Sequence, residues 1–273
     1  HALTAAILLT AQAGAASFTP PLDRPLRAVT EATRTDAGVT RRFTNARRIV
    51  FRRAANGYRA EVTIEAGAPA AESDDDPAAM FRAGFARIAG RTIVLHLDPA
   101  GRVTAIDDQA MVWKAFLDGI TALAPAGTGD VDRKRAGRIR AILAALAPMP
   151  RERQRVTLAS LVEPLIAADV AAAGESPPRP VRVPATSPYG AVQLDGIRAV
   201  RRSGGRLVAS VSAAGEVTMQ GPDGQIAGHV AIETERQVDP ASGLVLETRD
   251  AVRTEMPGAP PATRLTVTSF RAP

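Results

Sequence analysis

Tyr58, Ala60, Val62 and Ile64 alternate with Arg59, Glu61, Thr63 and Glu65, so a strand through them has one apolar face and one wet face. Asn56-Gly57 immediately before it is a hairpin turn signal. Upstream, residues 26–35 and 40–53 mix β-branched residues and Phe43, Ile49, Val50 and Phe51 with arginine in short alternations, which predicts two more strands. Residues 91–107 repeat the pattern around Asp98-Pro99-Ala100-Gly101. Ile93, Leu95 and Leu97 share one face, and Val94 and His96 the other. In that turn proline presets φ and glycine takes a positive one.

The period then changes. Asp76 and Pro77 look like the cap and first residue of a short helix carrying Phe81, Phe85 and Ile88 and stopping at Gly90. Asp107 or Asp108 is placed to cap a longer helix in which Val112, Phe116, Ile120 and Leu123 recur at helical spacing with Trp113 beside them. A further helix carries Ile139, Ile142, Leu143 and Leu146. Another carries Leu158, Leu161, Val162, Leu165 and Ile166, with Pro164 predicting a break.

A Pro-rich stretch over 174–190 reads as a connector, after which alternation returns over 191–202, 206–214, 225–238, 243–256 and 262–271. Gly204-Gly205, Pro222-Asp223-Gly224, the 239–243 turn and Pro257-Gly258 separate these segments, as in an antiparallel meander. Val230, Ile232, Val238, Leu244 and Leu246 fall on its apolar side, and Glu233, Glu235, Glu247 and Arg249 on the other.

The predicted fold is α+β: a large curved antiparallel sheet of ten or eleven strands, half-barrel-like, with an inserted block of helices packed on one face. Its parts are N-terminal strands with a short helix over 18–107, a helical insert over 108–173, the connector over 174–190 and the meander over 191–273. Together they make one domain over 18–273. Residues 2–11 are an uncharged apolar run followed by small residues, with Ala13-Gly14-Ala15 or Ala11-Gln12-Ala13 as cleavage site. This predicts a signal peptide over 1–17, its start truncated, and a periplasmic or secreted protein of a Gram-negative-type envelope.

Composition narrows the chemistry. The 273 residues include no cysteine, which excludes disulfides, thiolate metal sites, cysteine nucleophiles and a lipoprotein anchor. Aromatics are 4%, too few for stacking platforms, so the +6 formal charge does not imply nucleic acid. The run from Asp130 to Arg155 holds eight cations against three anions, and Arg133, Arg135 and Arg138 are candidates for contact with an anionic membrane surface. The acidic run Asp74-Asp75-Asp76 lacks calcium-loop spacing and reads as a solvated loop. His96 and His229 lie inside predicted strands, and no hydrolase, zinc-protease, P-loop or dinucleotide fingerprint is present, so neither catalytic residues, a metal nor a cofactor is expected. Gly204-Gly205 lies between strands and makes a turn instead of a phosphate cradle.

A signal run, about ten or eleven antiparallel strands, an inserted helical block and the hairpin Val238-Asp239-Pro240-Ala241-Ser242-Gly243-Leu244-Val245 together resemble the half-barrel periplasmic lipoprotein carriers of the LolA and LolB type. The resemblance implies a curved sheet lidded by helices, with a cavity for acyl chains between them. On that reading Trp113, Phe116, Ile120, Ile139 and Leu143 form the lid side and Ile232, Leu244 and Leu246 the sheet side of a ligand site. The expectation is a non-catalytic envelope protein that binds an apolar or lipid-like ligand, such as a lipoprotein acyl chain. The alternative is an interaction or assembly module that uses the sheet surface and has no cavity.

Overall fold

A computed structural model describes residues 17–66, 83–124, 129–187, 190–221 and 224–271. The predicted signal peptide (apart from Ser17), the acidic run and the first half of the short helix around Phe81 lie outside them. Five strands come first: β1 (Pro25–Asp36), β2 (Val39–Ala54), β3 (Gly57–Ile64), β4 (Thr92–Leu97) and β5 (Val103–Ile106). Helices α1 (Gln109–Thr121), α2 (Asp130–Leu146) and α3 (Arg151–Ala159), a 3-10 turn (Glu163–Leu165) and α4 (Ala168–Ala173) follow. Six strands close the chain: β6 (Ser176–Ser187), β7 (Gly190–Ser203), β8 (Arg206–Gly221), β9 (Gly224–Val238), β10 (Val245–Glu255) and β11 (Ala262–Arg271).

All eleven strands belong to one curved, open antiparallel sheet in the order β5-β4-β3-β2-β1-β11-β10-β9-β8-β7-β6. Each half is a meander of neighbours in sequence. The first and last strands meet in the middle, with Arg27 opposite Arg271 and Thr35 opposite Thr263. The edges, β5 and β6, come from the middle of the chain and flank the helical block.

Two corrections to the sequence reading follow. Residues 176–187 are not a connector: they form the edge strand β6, paired along β7 from Arg179 to Ser187. An edge strand has one unpaired side, which tolerates Pro180 and Pro184, while Pro177 and Pro178 fall in the irregularity between Ser176 and Arg179 where the ladder assigns them no partner. The same prolines spoil the edge as a template for another chain. Asp108 precedes α1 as expected but adopts φ 49 with no side-chain cap, so α1 begins without the predicted carboxylate–amide bond. Pro164 does end the third helical pattern: α3 stops at Ala159 and a 3-10 turn takes over.

Helices cover one face of the sheet, its inner face. Over β2–β5, Ile49, Phe51, Tyr58, Ala60, Val62, Ile93 and Leu95 meet Trp113, Phe116 and Ile120 of α1, Ile139 of α2 and Leu158 of α3 in one apolar cluster. Phe116 is fully buried, stacked on Trp113 at 5.1 Å and tilted against Phe85 at 5.1 Å. Space beneath it is tight, since a Cβ on Gly84 would lie 2.5 Å from its ring. The other half receives less cover. Ala167 and Val170 sit on Val200, Leu207, Ala209 and Val238 at one end of β7–β9.

The two Asp-Pro-Ala turns lie side by side, joined by the segment before β1. The Phe18 amide donates to the Pro99 carbonyl and the Thr19 amide to the Ser242 carbonyl, at 2.8 and 2.9 Å. Phe18 is fully buried, edge-on to Phe51 and Tyr58. Gly101 (φ 84) and Gly243 (φ 73) supply the left-handed turn conformations. They also let the segment after α3 approach: a Cβ would meet Ile166 at 2.6 Å from Gly101 and Ala168 at 3.0 Å from Gly243.

Candidate functional site

Because cross-strand partners share a face, the register gives the inner face row by row. Beside the helices runs Ile64, Arg47, Ala28 and Phe270 over β3, β2, β1 and β11. The next row is Asn45, Thr30, Thr268, Thr248, Arg236, Ala209 and Val200. Below it stand Phe43, Ala32, Thr266, Asp250, Thr234, Val211 and Arg198, with Arg179 opposite Arg198 on the edge strand. The fourth row is Arg41, Arg34, Arg264, Val252, Ile232, Ala213, Gly196 and Val181.

These rows hold seven arginines, namely Arg34, Arg41, Arg47, Arg179, Arg198, Arg236 and Arg264, against the single carboxylate of Asp250. The outer face is balanced instead. There Arg27 pairs with Glu65 at 2.7 Å, Arg52 with Glu61 at 2.8 Å and Arg201 with Glu235 at 3.8 Å. The guanidinium of Arg27 holds the Glu65 carboxyl below its ordinary range, and Arg52 and Arg59 do the same to Glu61, mainly through hydrogen bonds. The positive formal charge of the chain is therefore concentrated on the side of the helices.

Three features distinguish the middle of the inner face. Thr248 and Thr268 are buried polar residues in an otherwise apolar core, and Thr268 shares a hydroxyl hydrogen bond of 2.9 Å with Thr30. Arg47 lies one row away with its Nε enclosed and no acceptor in reach. Burial alone pushes its guanidinium down to about 10, which still leaves it charged at neutral pH. Farther along, Leu194, Ala213, Val217 and Val230 form an apolar cluster with Val183, Ile232 and Val252 packed against it, and no described helix residue belongs to it.

The residues predicted for a lid and cavity divide between these regions. Trp113, Phe116, Ile120, Ile139 and Leu244 are buried members of the cluster under the helices, with Leu143 and Leu246 packed against it. Ile232 belongs to the strand-only cluster. The Trp113 indole Nε1 is enclosed without an acceptor. Arg133, Arg135 and Arg138 lie on α2, where Arg133 pairs with Asp130 in the first turn. Arg47 was missed, although its parity with Ile49 and Phe51 was the signal that could have found it.

The other polar sites are structural in form. His96 Nε2 lies 2.7 Å from Asp107 Oδ1 at the open surface, and the Asp107 amide donates to the Val94 carbonyl, so the pair fastens the β4–β5 hairpin to the start of α1. An open groove of about 610 Å³ lies between β5, the start of α1 and α3, lined by residues including Thr104, Ile106, Gln109, Met111 and Arg155. Arg155 donates to the Val103 carbonyl and Glu163 accepts from the Val103 amide at 3.0 Å, which ties the β5 edge to the helical block. Glu233 and Glu247, on adjacent outer-face strands, oppose Ala251 and Gln237 and not each other. Among the described residues no three His, Asp or Glu side chains gather as a metal site, and no helix is long and apolar enough to cross a membrane.

No family model matches the chain, and neither a curated protein nor a solved structure does.

Proposed function

We propose that this protein is a non-catalytic component of the cell envelope that binds an apolar or lipid-like ligand on the inner face of its sheet, beside the helical layer. The observation that carries the reading is the strand-only apolar cluster around Leu194, Ala213, Val217 and Val230. It continues the helix-covered core along the same face of the sheet, past the point where described helices stop. A sheet that buries apolar side chains on one face needs a second layer there. Over β2–β5 that layer is α1–α3 and at one end of β7–β9 it is the α4 segment; over the rest of β7–β10 an acyl or other apolar chain supplies it. The reading agrees with the layout that a LolA- or LolB-type carrier implies, and the arginines of α2 give such a protein a way to rest on anionic lipid.

The test combines native mass spectrometry and solvent extraction of purified protein with titration of a fluorescent acyl probe. Copurified lipid and saturable probe binding are expected, and Ile232→Asp should weaken the probe at least tenfold while the fold is retained. An extract without lipid, together with no saturable probe binding, would reject the proposal and leave the sheet as an interaction or assembly scaffold.

A further inference from the structure

We propose that the ligand is an amphiphile with an oxyanion head, and that the Arg47 guanidinium receives that head at the boundary between the helix-covered core and the part of the inner face beyond the described helices. The proposal rests on the apolar-ligand reading above and adds the chemical class of the ligand.

Arg47 sits on the inner face of β2, between Ala28 of β1 and Ile64 of β3, both buried and apolar. Its Nε is enclosed and has no hydrogen-bond partner. The terminal nitrogens make no hydrogen bond among the described residues and are less enclosed, and the residue as a whole keeps partial exposure. The guanidinium is thus largely removed from water, with its terminal nitrogens less completely enclosed than Nε. On the inner faces of β1, β2, β3 and β11 the only carboxylate is Asp36, at the far turn. Among the described residues Arg47 makes no ion pair, whereas outer-face Arg27, Arg52 and Arg201 each have one.

Desolvating a cation without a partner is costly, and such groups are normally paired. A planar guanidinium with accessible terminal nitrogens matches a carboxylate or phosphate and forms short, charge-assisted bonds to it. The row beside it supplies neutral polar groups, Asn45 and the Thr30–Thr268 hydroxyl pair, suited to the remaining oxygens of such a head. Ala28 and Ile64 on one side and Phe43 and Ala32 on the other give a hydrocarbon tail apolar neighbours, up to the arginines Arg34, Arg41 and Arg264. Fatty carboxylates and phosphate monoesters of lipids share that chemistry.

The experiment measures dodecanoate, dodecyl phosphate and dodecanol on the wild-type protein, Arg47→Met and Arg47→Gln, with acetate and inorganic phosphate as tail-free controls. Wild type should bind the two anionic amphiphiles about ten- to a hundredfold more tightly than the alcohol. Both variants should lose that preference while dodecanol affinity changes by less than about threefold. Without ligand, neither variant should melt below wild type, since an unpartnered cation has been removed. Variants that keep the anionic preference, or that melt several degrees lower, overturn the role of Arg47 and leave the apolar-ligand reading intact. Equal stabilisation by inorganic phosphate alone overturns the amphiphile in favour of a free-anion site. Wild type that binds none of the three chains rejects the underlying function and this inference with it.

Discussion

The two halves of the sheet contain the same kind of strand and solve burial differently. In β2–β5 the alternate apolar residues face α1–α3, and Ile49, Phe51, Ala60, Val62, Leu95 and Phe116 are almost wholly removed from water. In β7–β10 the same alternation meets a short helix at one end and no described helix elsewhere; Leu194, Ala213, Val217 and Val230 are buried there, while Ile232 and Val252 at the cluster's margin remain only partly buried. Periodicity along a strand thus records which face is apolar but says nothing of what covers it. Stability is expected to concentrate in the first half and ligand response in the second.

The largest test of that contrast is Phe116→Ala, which should cost about 3–5 kcal/mol in a denaturant melt, because the ring is packed against Trp113 and Phe85 and leaves a void. Ile232→Ala should cost about 1–2 kcal/mol by the same measurement, below the range for fully buried aliphatics, since part of its surface is already in water. Equal losses at the two positions would erase the distinction. Native-state hydrogen exchange should follow suit, with slower exchange in β2–β4 than in β7.

A smaller effect comes from a turn. Ala37 and Gly38 join β1 to β2 with φ of 48 and 77, the conformation of a tight hairpin that an L-alanine tolerates poorly. Ala37→Asn should stabilise by about 0.5–1 kcal/mol, and an unchanged or lower melting temperature would refute the strain. Smaller still is the acid response of the outer face. Glu61 and Glu65 have folded-state values below the ordinary 4.5, so their contribution is present above that value and disappears as pH falls through the lowered folded value. Both pairs are open to solvent; Glu65→Gln should flatten the melting temperature between about pH 5 and 3 only slightly, and less at high salt. On α2, reversing Arg133, Arg135 and Arg138 should reduce retention by anionic liposomes at low salt, and retention unaffected by salt would speak against that contact.

Much of this architecture was legible in residue order. Tyr58 to Glu65 announces a half-buried strand, and Val112, Phe116 and Ile120 announce a helix whose apolar stripe the sheet receives. The β6 strand was hidden because its four prolines look like punctuation until the sheet order shows that they occupy an edge. Arg47 was hidden for a different reason. In the run Ala46-Arg47-Arg48-Ile49 two arginines stand together; parity with Ile49 and Phe51 points the first inward, and pairing with Ala28 and Ile64 fixes it there. Cross-strand register is a long-range property, and local alternation interrupted by consecutive arginines does not specify it.

The pairing of β1 with β11 at the centre of the sheet bears on how the chain reaches this state. Every other ladder joins strands that are neighbours in sequence, so two separate meanders can zip up locally, one on each side of the helical block. The last ladder unites residues distant in sequence, Thr30 and Thr268 among them at a separation of 238 positions. Closing such a span costs about 3.5 kcal/mol more in chain entropy than closing a four-residue hairpin. The central ladder is therefore the slow, non-local step, and until it forms β1 and β11 are both unpaired edges.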